Sequence, residues 1–216
     1  MDKNLINNIK EKMNLLNVQL GDEYNYPCLP LAIIDAIYSL RIDYEQVKDI
    51  VKKYADTYKV DETHCISDLI KNIESVGCEG FANDVLGANY KTAGKNPILK
   101  SEAVYEWAKI LKKNGIENFV DFRRADKDNL EKELLQVRGQ GETVVKYLFM
   151  LCGDNNTCKP DTHILKFFSD ILKRNVKADE VQGLFENIVN DLKAEYPHMT
   201  VRLLDYIIWN YQRNQK

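Results

Sequence analysis

The spacing of apolar residues constrains the fold of this chain more than any other feature. They recur every three or four positions, as Val47, Ile50, Val51 and Tyr54 do, and no stretch shows the alternation of a half-buried strand. The pattern predicts an all-α protein, with helices near 4–20, 29–40, 44–58, 65–76, 100–114, 126–135, 142–151, 162–173, 178–196 and 200–212. The remaining stretches include a predicted long exposed connection, 77–97, and a short link, 118–123.

The length of 216 residues suits one unit or two small lobes that share an interface. We divide the chain approximately into a helical lobe, 30–135, and a second lobe made of 1–29 together with 136–216. The helix near 29–40 is almost wholly apolar, so we expect it at the centre of a core. Asp35 is its one charged residue, and a neighbouring helix end is expected to satisfy that carboxylate.

Composition excludes several classes of protein. No window approaches the ~18 uninterrupted apolar residues of a membrane span. Charged residues among the first twenty positions exclude the apolar block of a secretion signal, so we expect a cytoplasmic protein with no membrane partner. The five cysteines lack the C-x-x-C spacing of a zinc or redox site. We therefore expect no metal held by side chains and no disulfide framework. We also expect a monomer.

The overall charge argues against a protein that coats nucleic acid. The formal net charge is -3, and the positive residues are unevenly placed. Between positions 91 and 113 there are six lysines and two acidic residues, a local balance of +4 (6 − 2). This stretch is either a phosphate-facing surface or an ordinary solvated helix face.

One segment is more specific than the rest. Gly139-Gln140-Gly141 lies between two predicted helices, where glycines permit a positive φ and a close approach of the backbone. The helix that follows begins with unpaired N–H groups, which can bind a phosphate. After it comes Lys159-Pro-Asp-Thr-His-Ile164, with Asp161 lying 22 positions (161 − 139) beyond Gly139.

The two motifs, in this order and at this separation, resemble the helix-hairpin-helix (HhH-GPD) superfamily of base-excision DNA glycosylases, and its endonuclease III-like members in particular. That superfamily joins two helices by L-P-G-V-G-x-x-T-A and keeps a catalytic aspartate in V-D-T-H. The resemblance implies a two-lobed all-α fold, double-stranded DNA as partner and Asp161 as the catalytic carboxylate. It implies a DNA contact at the hairpin through Arg138, Gly139, Gln140, Gly141, Thr143 and Lys146. The chain resembles more closely a bacterial subgroup that has Gly-Gln-Gly in the hairpin and Lys-Pro-Asp in the loop. This closer resemblance implies no particular activity.

Departures from the family pattern limit the chemistry. Thr143 stands where bifunctional members have the lysine that forms a Schiff base, so the resemblance implies a monofunctional glycosylase without lyase activity. No cysteine follows Cys158, so the family's iron–sulfur cluster is not expected. No other cofactor is expected, apart from a monovalent cation on the hairpin carbonyls. Arg138 would add a phosphate contact, whereas Glu142 would repel one.

Three functions remain open from the sequence. The first is hydrolysis of the N-glycosidic bond of a damaged or mispaired base, with Asp161 beside the sugar. The alternative role of Asp161 is that of a helix N-cap alone. The second is a non-catalytic module that recognises distorted or foreign DNA. The third is a scaffold, because fold does not fix function. Tyr38 and Trp107 are either stacking groups or core residues, and a lesion pocket would lie near residues 39–41.

Overall fold

The computed structural model describes residues 3–16 and 18–215. In these residues the secondary structure is helical except for an isolated antiparallel bridge between Lys91 and Leu99. A 3-10 turn covers Asp22–Tyr24 and a π-helix covers Phe81–Val85. The α-helices are α1 (Lys3–Lys12), α2 (Leu29–Tyr38), α3 (Tyr44–Tyr58), α4 (Ile66–Gly80), α5 (Lys100–Lys113), α6 (Phe119–Arg124), α7 (Lys127–Leu135), α8 (Glu142–Leu151), α9 (Thr162–Leu172), α10 (Ala178–Leu192) and α11 (Val201–Arg213).

Helices α3 and α8 have the predicted bounds, whereas α1 is much shorter than the predicted 4–20. It ends at Lys12, and the Asn14 side chain then accepts a hydrogen bond from the N–H of Leu16 at 3.0 Å. Asparagine competes in this way with the helical hydrogen-bond pattern, and so favours a turn. The stretch 118–123 is also helical, because Asn118 caps α6 through its side-chain oxygen.

The prediction of an exposed connection over 77–97 is wrong for its first half. Helix α4 is kinked at Gly77 (φ 71°, ψ 164°) and is followed by the π-helix. Phe81, Val85 and Leu86 are buried there. Positions 81, 82, 85 and 86 are apolar at helical spacing, and this pattern outweighs the glycines at 77 and 80.

The chain forms two units, of which one contains residues 25–152. All ten residues of α2 are buried at its centre, where α2 packs against α3, α5 and α8. Residues 136–152, which the sequence division groups with the termini, lie in this unit because α8 packs on α2 and α7. The hairpin is therefore part of the larger helical unit.

Two buried charges complete this unit. Asp35 Oδ2 accepts hydrogen bonds from the hydroxyl groups of Tyr26 (2.8 Å) and Tyr147 (3.3 Å), so this oxygen pairs with tyrosines and not with the predicted helix end. Lys100 is 3% exposed, and its Nζ donates to the carbonyl oxygens of Tyr38 (3.0 Å) and Leu40 (2.7 Å). This lysine closes the C-terminus of α2, and so it is not part of a phosphate-facing surface.

The second unit contains the described residues up to Tyr24 together with 153–215. Helix α1 packs on α9 and α10, and α11 packs on the same two helices. The core of this second unit contains Phe168, Phe185, Ile188, Leu204 and Ile208. Within the residues described in the two units, no helix has the length and apolar character needed to cross a membrane.

Candidate functional site

The hairpin between α7 and α8 depends on one of its two glycines. Gly139 has a φ of +76°, a value that favours glycine. A Cβ at this position would lie 2.3 Å from Thr92 Oγ1 and 2.7 Å from the carbonyl oxygen of Ala93. The turn then closes through a hydrogen bond from the N–H of Gln140 to the carbonyl of Val137 at 3.0 Å. Gly139 therefore permits both the turn and the close approach of a neighbouring segment.

Gly141 has a different role. It is the N-cap of α8 with φ −122° and ψ 171°, values open to any residue, and a Cβ there would meet no atom within 4 Å. Among the described residues, no acceptor pairs with the N–H groups of Glu142 and Thr143 in the first turn of α8. Open space at position 141 beside unpaired amides is the arrangement that binds a phosphate at a helix N-terminus.

The side chains predicted to bind DNA differ in how available they are. Arg138 is exposed at the turn. Lys146 is less available, because its Nζ lies 3.5 Å from Glu142 Oε2 in an ion pair one helical turn apart. Gln140 has a buried side-chain oxygen with no hydrogen-bond partner in the described residues, and Thr143 is half-buried. Of the two cations described at the hairpin, Arg138 is thus the more available, and it lies near a set of backbone amides.

Asp161 lies in the other unit, at the start of α9. Its Oδ1 accepts hydrogen bonds from the N–H groups of His163 (2.9 Å) and Ile164 (3.0 Å), as an N-cap does. Its own N–H donates to the carbonyl of Lys159 at 2.8 Å, which makes a tight turn around Pro160. No described residue donates to Oδ2. One carboxylate oxygen is therefore structural, and the other remains available at the positive end of a helix.

The loop that leads to Asp161 is held by a residue that the sequence analysis did not identify. The N–H of Lys159 donates to Asp205 Oδ1 at 3.0 Å, and Asp205 is 3% exposed in α11. Burial raises the pKa of Asp205 well above its ordinary value, and the charge of Asp161 raises that pKa further. The sequence does contain a signal for this residue, because Asp205 is an aspartate inside the apolar run Leu203-Leu-Asp-Tyr-Ile-Ile208.

The aromatic residues considered for base stacking are core residues. Tyr38 and Trp107 are fully buried, and each satisfies its polar atom within the fold. The Tyr38 hydroxyl donates to the carbonyl of Ala88 at 3.3 Å, and Trp107 Nε1 donates to the carbonyl of Leu134 at 3.1 Å. Neither ring is presented to a ligand.

Comparison with solved structures confirms the predicted all-α, two-lobed helix-hairpin-helix type of fold. The chain is similar to a chain described as "Structure of MBOgg1 in complex with low affinity DNA ligand", with a TM-score of 0.62 and 16% sequence identity. The match covers 86% of this chain and 60% of the MBOgg1 chain, so this chain spans less than two thirds of the length of the MBOgg1 chain. No curated protein matches the sequence. A family profile described as a domain of unknown function (DUF8548) matches residues 3–213.

Proposed function

Because this chain belongs to the DUF8548 family, a domain of unknown function, we propose its function from the fold and the two sites. We propose that it binds double-stranded DNA and hydrolyses the N-glycosidic bond of a damaged or mispaired base, with Asp161 as the catalytic carboxylate. The fold of MBOgg1, which was solved with a DNA ligand, supports the DNA partner. The geometry of Asp161 supports the chemistry.

The free carboxylate oxygen of Asp161 is the observation that carries this proposal. Breaking an N-glycosidic bond develops positive charge on the deoxyribose, and a fixed negative charge beside the sugar stabilises it. Oδ1 is held by two backbone N–H groups, which fixes the carboxylate, while Oδ2 accepts no hydrogen bond from the described residues. Such a group can face the sugar and orient a water molecule without rearranging.

The hairpin supplies the DNA contact in this proposal. The first-turn amides of α8 and the exposed Arg138 would bind phosphate, a contact that does not depend on base sequence. Thr143 has a hydroxyl group and no amine. The attacking group is therefore water, and the reaction stops at an abasic site without cleavage of the strand.

Single-turnover base excision on a panel of lesion and mismatch duplexes tests the role of Asp161. Asp161→Asn keeps the N-cap but removes the negative charge, so we expect a rate loss of about 10²–10³-fold. Asp126→Asn is the matched control, because Asp126 caps α7 in the same way by accepting from the N–H groups of Asp128 and Asn129. We expect it to keep the wild-type rate, and equal rates for all three proteins would remove Asp161 from the mechanism.

The N-cap also supports a second candidate, a DNA-binding module without catalysis. Capping α9 is a complete structural role for Asp161. In that case the wild-type protein excises no base from any duplex of the panel, yet it binds them with an affinity that falls as salt rises. Asp161→Asn then binds as the wild-type protein does.

DNA affinity should depend on Arg138 more than on Lys146. Arg138→Gln is expected to weaken binding uniformly across duplex sequences and to lower the slope of log Kd against log salt by about 1. Lys146→Gln should have a smaller effect, since Lys146 already pairs with Glu142. Fluorescence anisotropy over a salt series measures both variants. A larger loss from Lys146→Gln would contradict the proposed phosphate contact.

A further inference from the structure

The loop before Asp161 is held by side-chain and backbone groups from two helices of its own unit. Gln182 in α10 donates through Nε2 to the carbonyl of Asn156 at 2.7 Å and accepts through Oε1 from the N–H of Cys158 at 3.3 Å. The side-chain amide thus pairs with the loop backbone as a neighbouring strand would. At the start of α11, the N–H of Arg202 donates to the carbonyl of Asn155 at 3.2 Å.

Asp205 holds the last part of this loop. Its Oδ1 accepts from the N–H of Lys159, and the carbonyl of Lys159 accepts from the N–H of Asp161. Two consecutive hydrogen bonds therefore connect the buried carboxyl to the residue with the free carboxylate oxygen. Pro160, between them, is buried and restricts the backbone of the turn.

We propose that Asp205 is the positioning residue of Asp161: its buried carboxyl holds the peptide of Lys159 and so fixes the turn that carries the catalytic carboxylate. The expected effect of Asp205 on base excision rests on the proposed function. The hydrogen bond between Asp205 and Lys159 is a property of the folded chain and does not depend on that function. Catalysis by a charged group depends on its placement, and a misplacement of 1 Å can cost ~10²-fold in rate.

Electrostatics supports the same assignment. The charged groups that act on Asp205 are Asp161 at the start of α9, which raises its pKa, and Lys159 in the loop, which lowers it; burial raises it more than either. A neutral Asp205 can be buried without a full desolvation penalty and still accept the hydrogen bond.

Asp205→Ala and Asp205→Asn test the proposal, with Asp35→Ala as the matched control. Asp35 is also a fully buried helical aspartate, but it belongs to the other unit and pairs with tyrosines. Three quantities are measured for folded protein: hydrogen exchange of the Lys159 amide, the single-turnover excision rate and the dissociation constant for DNA. Asp205→Asn keeps an acceptor for Lys159 and is expected to match the wild-type protein in all three.

Asp205→Ala is expected to expose the Lys159 amide to exchange and to lower the single-turnover rate by about 10–10²-fold at unchanged DNA affinity. Asp35→Ala should lower the stability of the protein. It should leave the protection of the Lys159 amide and the single-turnover rate unchanged. Wild-type protection and rate in Asp205→Ala, or an equal rate loss in Asp35→Ala, would overturn the assignment. If Asp205→Ala does not fold, Asp205→Leu removes the acceptor with an apolar side chain of similar size. Wild-type protection of the Lys159 amide and a wild-type rate in that variant would overturn the assignment as well.

The exchange measurement separates this inference from the proposed function. If the wild-type protein excises no base, the proposed function fails, yet protection of the Lys159 amide still decides whether Asp205 holds the turn. If the wild-type protein excises bases and Asp205→Ala does so equally well, the positioning role fails alone.

Discussion

Gly139→Ala is expected to destabilise the protein by about 2–5 kcal/mol, because two penalties add at one position. A φ of +76° costs an L-residue about 1–2 kcal/mol. The new methyl group would also lie 2.4 Å from Thr92 Cβ and 2.7 Å from the Ala93 carbonyl oxygen, and such overpacking costs about 1–3 kcal/mol more. Urea unfolding followed by circular dichroism measures the loss.

Gly141→Ala is the control for this variant, two positions away in the same hairpin. Position 141 has φ −122°, and a methyl group there would contact no atom within 4 Å. Its free energy of unfolding should change by less than about 0.5 kcal/mol. Equal losses for the two alanine variants would mean that the turn does not depend on the conformation of Gly139.

Lys100→Met is the second large effect, and it concerns the centre of the larger unit. The substitution keeps the apolar stem but removes hydrogen bonds to the carbonyls of Tyr38 and Leu40 at the end of α2. Hydrogen bonds to charged groups contribute about 1.5–3 kcal/mol each, so we expect a loss of about 3 kcal/mol or more. Thermal and urea unfolding should both report it.

Lys95→Met shows whether this loss comes from burial. Lys95 is exposed, five positions before Lys100, so its replacement should change the stability by no more than about 0.5 kcal/mol. A similar loss in both variants would assign the effect to the general charge of this stretch. It would not then depend on the contacts of Lys100.

Helical periodicity predicts much of this fold because it reports which face of each helix is buried. The bounds of α3 and α8 follow from it directly. It is less informative over 77–88, where glycines indicate a loop although the apolar spacing continues. Gly77 takes a non-helical conformation while the chain stays packed, and this depends on tertiary contacts that a local pattern does not contain.

The candidate site shows the same division between local and distant information. An Asp-Thr-His sequence before an apolar helix predicts the N-cap of Asp161, because capping involves residues two and three positions away. The contact between Asp205 and Lys159 joins positions 46 apart in the sequence, so no local pattern predicts it. For Lys100, the sequence gives the charge, whereas the structure shows that the acceptors are backbone carbonyls about sixty positions earlier.

The division of the chain into units has a consequence for its synthesis. Residues 25–152 form one continuous unit, whereas α1 belongs with segments that follow residue 152. On the ribosome, the continuous unit can collapse as soon as its last helix has emerged, since domains fold as units during synthesis. Helix α1 packs on α9 and α10, so its apolar face lacks these partners until both helices have been synthesised. The turn that carries Asp161 therefore forms later than the fold of the continuous unit.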